Sequence, residues 1–223
     1  MKTMPPSYEM SESYGTGALL AVAGGLFDAY SYLLRGHVFA NAQTGNIVLF
    51  GISLFDGRIS DAFFYLAPIL AFIAGIFLAL CLRTRLTDRP HFHWRHGVLL
   101  LEILLVIVVA YLPAPSMDAL ANVLISFACA LQVQAFRTFQ GNAFASTMCT
   151  GNLRSASECL FAGIAEKDHR KFKKSFQYFG IILCFILGVA VGAGCIQIFG
   201  KNTVLFNAAL FAAVFFRMMK KKS

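Results

Sequence analysis

Long apolar runs separated by short polar breaks occupy almost the whole 223-residue chain. Runs long enough to cross a hydrocarbon core, about 17–25 residues at ~1.5 Å rise each, fall at 17–34, 62–82, 97–113, 118–136, 176–199 and 202–218. Two less uniform runs, 38–55 and 143–164, follow the first and the fourth. The pattern predicts an all-α, polytopic membrane bundle with a membrane domain over 17–218. Residues 1–16, polar and carrying Pro5-Pro6, read as a disordered cytoplasmic tail, and 219–223 as a basic one. The start lacks the basic stretch and small-residue cleavage site of a secretory signal.

The two less uniform runs carry the same tripeptide. Thr44-Gly45-Asn46 follows Gly36-His37-Val38-Phe39-Ala40, and Thr150-Gly151-Asn152 follows Gly141-Asn142-Ala143-Phe144-Ala145. Further on, Tyr65 to Gly75 and Tyr178 to Gly188 keep Tyr, Ile, Leu, Phe, Ile and Gly in step. Two agreements in one order imply an internal duplication, repeat one 17–113 and repeat two 118–218.

Charge sets the number of crossings. With six spans, an inside N-terminus and both motif segments returning to the side they left, 16 of the 19 Lys and Arg lie inside, leaving Arg35, Arg58 and Lys201 outside. With eight spans the better orientation gives 11 against 7 and strands Arg154 within a helix. The positive-inside rule favours six. Three spans per half make the repeats inverted, so the two motifs enter from opposite faces, as in transporters built around broken helices. The alternative, both motif segments as amphipathic helices at the interface, gains weight from Arg154 and Glu158, four residues apart.

Composition agrees with a membrane setting: mean hydropathy is +0.67, and 13% of residues are charged against about 25% in globular proteins. The net charge of +8 therefore reads as helix orientation and not as a nucleic-acid surface. The tract Glu166 to Lys174 reads as an anchor for anionic lipid headgroups at the cytoplasmic face. Cys81, Cys129, Cys149, Cys159, Cys184 and Cys195 form no C-x-x-C pair and read as small buried hydrophobes.

At the head of a half-helix, Thr can cap exposed N–H groups, Gly permits close approach, and Asn offers donors and an acceptor without charge. From Thr44 to Phe55 a helix runs about 16 Å, near half the hydrocarbon thickness, placing its positive end near the midplane. The plain alternative is that these residues only cap and pack helices. Asp28, inside the first run and about two turns from Arg35, is a carboxylate at membrane depth, costly unless paired, protonated or facing water. Its repeat equivalent is Gln134. Asp28 either binds a cation, proton or solute, or locks helices through a nearby Tyr, Asn or Arg35. Glu102, about a turn and a half inside its run, can snorkel toward Arg95 or His96. His91, His93 and His96 beside Trp94 lack the acid or cysteine that would complete a metal site and read as solvated. No nucleotide-binding, hydrolase-elbow or H-E-x-x-H motif occurs, so neither cofactor nor catalysis is expected.

The stretch Gly25-Leu26-Phe27-Asp28-Ala29-Tyr30-Ser31-Tyr32, then Val38 to Asn46, with Cys149-Thr150-Gly151-Asn152-Leu153-Arg154-Ser155 in the second half, resembles the YoaK-like family across roughly 17–218. The resemblance implies a bacterial inner-membrane protein of some six helices and brings no substrate. Where that family often has Met or Leu before the first Thr, this chain has Gln43. The expectation is a multi-pass inner-membrane protein, both termini cytoplasmic, that passes a small polar solute or ion between its halves as transporter or channel. Asp28, Asn41, Thr44, Gly45, Asn46, Gln134, Thr150, Gly151 and Asn152 would form the site. A non-transporting scaffold or regulator is the rival, and a homo-oligomer is compatible with either.

Overall fold

The computed structural model describes residues 10–86, 93–139, 142–143 and 149–219. Eight helices follow the apolar runs closely: α1 (Tyr14–Leu34), α2 (Gln43–Phe55), α3 (Ile59–Leu86), α4 (Trp94–Tyr111), α5 (Asp118–Ala135), α6 (Cys149–Glu166), α7 (His169–Phe199) and α8 (Leu205–Met219). A two-residue hairpin between α5 and α6, Thr138 opposite Ala143 and Phe139 opposite Asn142, has no counterpart in the sequence expectation.

Five helical stretches among the described residues are long and apolar enough to span a bilayer: α1, α3, α4, α5 and the continuous stretch His169–Met219. The last contains α7 and α8, joined by a 3₁₀ turn over Gly200–Val204. Gly200 has φ +53, a left-handed conformation that glycine adopts without steric cost. Directions follow from the packing. Along α1, Tyr14, Val22 and Ala29 meet Gly180, Gly188 and Gly192 of α7, so these helices run parallel. Gly15 meets Arg217 and Phe27 meets Phe211, so α8 runs back along α1. The closest helix pairs are α1 with α7, α3 with α5, α6 with α7, α2 with α3, α4 with α5, α4 with α8, and α1 with α8.

Residues 10–16, assigned to the tail by composition, are ordered. Ser13 caps α1 through the Thr16 N–H at 3.2 Å, and the Thr16 hydroxyl donates to the Met10 carbonyl at 2.8 Å. The ends of the bundle are pinned by buried arginines. Arg35 donates to Asp118 at 3.0 Å, to the Tyr30 hydroxyl at 2.7 Å and to the Leu112 carbonyl at 3.1 Å, closing the ends of α1 and α4 on the start of α5. It is thus not a solvated loop charge and does not pair with Asp28. Arg95 does the same at the other end, donating to the Ala135 carbonyl at 2.8 Å, to Ser11 and to Glu12.

Two expectations change here. His93 is the N-cap of α4 and His96 lies buried edge-on to Phe215, so neither is a solvated loop histidine. Burial, with Arg95 and His96 beside it, pushes the His93 imidazole down to about 4. His91 lies outside the described residues. Of the cysteines, all free, only Cys129 is buried; Cys81 is exposed and the others intermediate. An apolar run in a membrane protein faces lipid as often as core, which its composition cannot separate.

Candidate functional site

The chain between α1 and α2 does not stay at the end of the bundle. Asn41 donates from Nδ2 to the Gly24 carbonyl at 2.7 Å and from its backbone N–H to Asp28 Oδ1 at 2.8 Å. Gly24 lies ten residues before the end of α1, about 15 Å along it, so α2 starts beside the middle of α1. The Ala42 amide also turns toward the Asp28 carboxylate, while the Ala40 N–H donates to the Ser31 hydroxyl at 3.2 Å. Asp28 is therefore held by the N-terminal amides of the first motif loop, and it is almost fully buried.

Asn46 shapes this loop. Its Nδ2 donates to the Phe39 carbonyl at 2.7 Å, and its Oδ1 accepts from the Phe39 N–H at 3.1 Å. One carboxamide thus satisfies both backbone groups of a residue that no helix or sheet serves. Gly45 is needed because a Cβ there would lie 2.6 Å from the Phe39 ring. The expected threonine cap is absent: Ala42 is the N-cap of α2 without a side-chain bond, and Thr44 is the second helical residue.

Both motifs open onto one cavity of ≈ 810 Å³. Asp28, Ala29, Tyr32 and Leu33 of α1 form one wall, and Phe39 to Thr44 of the first motif, without Ala40, the next. Cys149, Thr150 and Gly151 of the second motif, Phe185 and Val189 of α7, and Phe72 of α3 complete it. α2 leaves this cavity toward the end where α1 finishes and α3 begins, Gly36 there meeting Phe64. α6 leaves toward the end where α7 begins, Ser175 of α7 donating to the Ala156 carbonyl at 2.8 Å.

Of the sequence-derived residues, Asp28, Asn41, Thr44, Thr150 and Gly151 line the cavity. Gly45 and Asn46 support the loop behind it, Asn152 is buried in α6, and Gln134 is buried near the end of α5; none of these four lines it. Sequence reasoning missed the aromatic walls, Tyr32, Phe39, Phe72 and Phe185. Tyr32 and Phe39 lie within the quoted motif stretches, but Phe72 and Phe185 had no signal beyond aromatic content, and a ring on a spanning helix reads equally as lipid-facing.

Glu102 also departs from expectation. It does not snorkel: it is fully buried in α4, and neither carboxyl oxygen has a hydrogen-bond partner among the described residues. Asn207 of α8, the helix packed on α4, is likewise buried with both amide atoms unpartnered. A partnerless carboxyl carries a desolvation cost of about 1–3 kcal/mol or more. Glu102→Met is therefore expected to raise the thermal unfolding midpoint in detergent. A lower midpoint would show that the carboxyl has a stabilising partner.

The fold and cavity define a multi-pass helical membrane protein with a polar-headed, mostly apolar internal site. Over residues 16–217 the chain matches the family described as "Protein of unknown function (DUF1275)", and it belongs to that family. It is also 28% identical over 160 residues to the UPF0700 transmembrane protein YoaK of Bacillus subtilis (strain 168), covering 69% of this chain and 70% of that one. No solved structure matches the chain.

Proposed function

We propose that the protein is an inner-membrane transporter or channel, not an enzyme, which passes a small polar solute or ion between two inverted halves. The observation that carries this reading is the shared cavity: two copies of one motif, 106 residues apart in sequence, meet around a buried carboxylate. Packing that only glued helices would not leave a space of ≈ 810 Å³ at that meeting point.

The inverted arrangement is supported by the helix pairs, which come in equivalent sets if α1–α4 and α5–α8 are the repeats. α1 with α7 answers to α5 with α3, α2 with α3 to α6 with α7, and α4 with α5 to α8 with α1, while α4 with α8 is its own mate. Gly75 and Gly188, in step in the sequence, play the same part. A Cβ on Gly75 would lie 2.6 Å from the Phe127 carbonyl of α5, and one on Gly188 2.1 Å from the Val22 carbonyl of α1. The reversal at Gly200–Val204 makes α7 and α8 separate crossings, six in all. With cytoplasmic termini, α2 and α6 are then re-entrant helices from opposite faces, and the α6–α7 turn with its basic residues meets anionic headgroups at the cytoplasmic surface.

Single cysteines at Thr44 and Thr150, in a protein lacking its native cysteines, test the pathway. Membrane-impermeant thiol reagents are expected to reach both positions, from opposite faces of sealed vesicles. A pair that water never reaches would leave the motifs as packing elements and favour the scaffold.

A further inference from the structure

The geometry points to a protonated primary or secondary amine with an apolar body as the ligand of the Asp28 cavity, an assignment that rests on reading this cavity as the solute site. Size excludes a bare ion as sufficient occupant: ≈ 810 Å³ lies within the roughly 300–1,000 Å³ of organic-ligand pockets. Charge selects the sign. Among the described lining residues Asp28 carries the single carboxyl group, and none is Lys, Arg or His. The Asn41 N–H, just before α2, donates to this carboxylate at 2.8 Å and fixes it in the cavity wall.

The walls suit the body of such a ligand. Tyr32, Phe39, Phe72 and Phe185 bring four rings to one cavity, Tyr32 and Phe39 stacked with centroids 4.9 Å apart. Ring faces attract a cation and pack against an apolar group equally well. The head is specified by Asp28, which Asn41 positions. The Asn41 N–H donates to Asp28 Oδ1 at 2.8 Å while its Nδ2 is committed to the Gly24 carbonyl. An ammonium N–H can donate to the carboxylate, a charge-assisted bond, whereas a quaternary ammonium has no N–H to give.

The test uses the full-length protein in lipid nanodiscs and four probes of one shape: benzylamine, benzyltrimethylammonium, benzyl alcohol and benzoate. Calorimetry at neutral pH is expected to show benzylamine binding at least about tenfold more tightly than each of the others, one lost hydrogen bond or charge contact being worth that much. Asp28→Asn is expected to weaken benzylamine roughly thirtyfold or more, the cost of removing one partner of a buried charge pair. Equal binding of the alcohol, tighter binding of benzoate, or benzylamine affinity unchanged in Asp28→Asn overturns the assignment. The wild-type series decides it even if that variant proves unstable. Benzylamine bound but not moved in proteoliposomes keeps the ligand class and ends the transport reading. Flux of another solute class without amine binding does the reverse.

Discussion

Asp28→Asn proteoliposomes are expected to lose solute movement by about thirtyfold or more, the scale of removing the charged partner from a buried ion contact. The fold should survive. Asn at position 28 keeps one oxygen to accept the Asn41 N–H that Asp28 Oδ1 takes at 2.8 Å. The other oxygen becomes an NH₂ facing the Ala42 amide, a cost of about 1–3 kcal/mol. Asp28→Leu, which strands the buried Asn41 amide and leaves the Ala42 amide without its acceptor, is expected to fail to fold, so only the Asn variant separates role from scaffold. The measurement is efflux of a metabolite mixture from reconstituted vesicles, followed by mass spectrometry, beside the thermal midpoint of the same sample. Wild-type efflux in Asp28→Asn would remove Asp28 from the transport step. A flux loss matched by an equal loss of folded protein would make it purely structural.

Much of this site is legible in the chain because its parts are rare there. An acid inside an apolar run is conspicuous, and so is a tripeptide repeated with its flanks; both Asp28 and the Thr-Gly-Asn copies reach the cavity. What each residue does is not legible in the same way. Asn46 looks as much like a ligand group as Asn41 does, yet one staples Phe39 and the other stands in the cavity wall. That difference depends on where the loop folds back, which a local pattern cannot express. Thr44 has the chemistry of a cap but sits two residues after the N-cap, Ala42, as the second helical residue. The apolar runs place the helices to within a few residues, since hydrophobicity decides burial in lipid. They cannot distinguish Phe185, which faces the cavity, from Phe176, which is exposed. Both are phenylalanines on one helix, and only the packing of α1 against α7 separates them.

That packing makes the tightest approaches to backbone among the described glycines. Gly188→Leu is expected to yield no folded protein, and Gly188→Ala to lower stability by about 1–3 kcal/mol or more, the cost of overpacking. A Cβ on Gly188 would meet the Val22 carbonyl oxygen at 2.1 Å, its carbon at 2.8 Å and its Cα at 2.9 Å, all backbone atoms of a neighbouring helix. From the other side, a Cβ on Gly25 would meet the Phe185 carbonyl at 2.1 Å. Gly188 and Gly192 are four residues apart on α7, as are Ala21, Gly25 and Ala29 on α1, the small-residue spacing that lets membrane helices touch backbone to backbone. Gly194, on the same helix, has nothing within 4 Å of a built Cβ. Gly194→Ala is therefore expected to gain up to about 1 kcal/mol through helix propensity. Thermal unfolding of the two alanine variants in one detergent measures the contrast, and a Gly188→Ala as stable as Gly194→Ala would mean α1 and α7 do not touch here. Because Asp28 and Ala29 line the cavity from one helix, and Phe185 and Val189 from the other, any separation of this pair widens the solute site as well. Gly188→Ala should thus impair flux in whatever fraction still folds, coupling this close helix contact to the cavity carboxylate it positions.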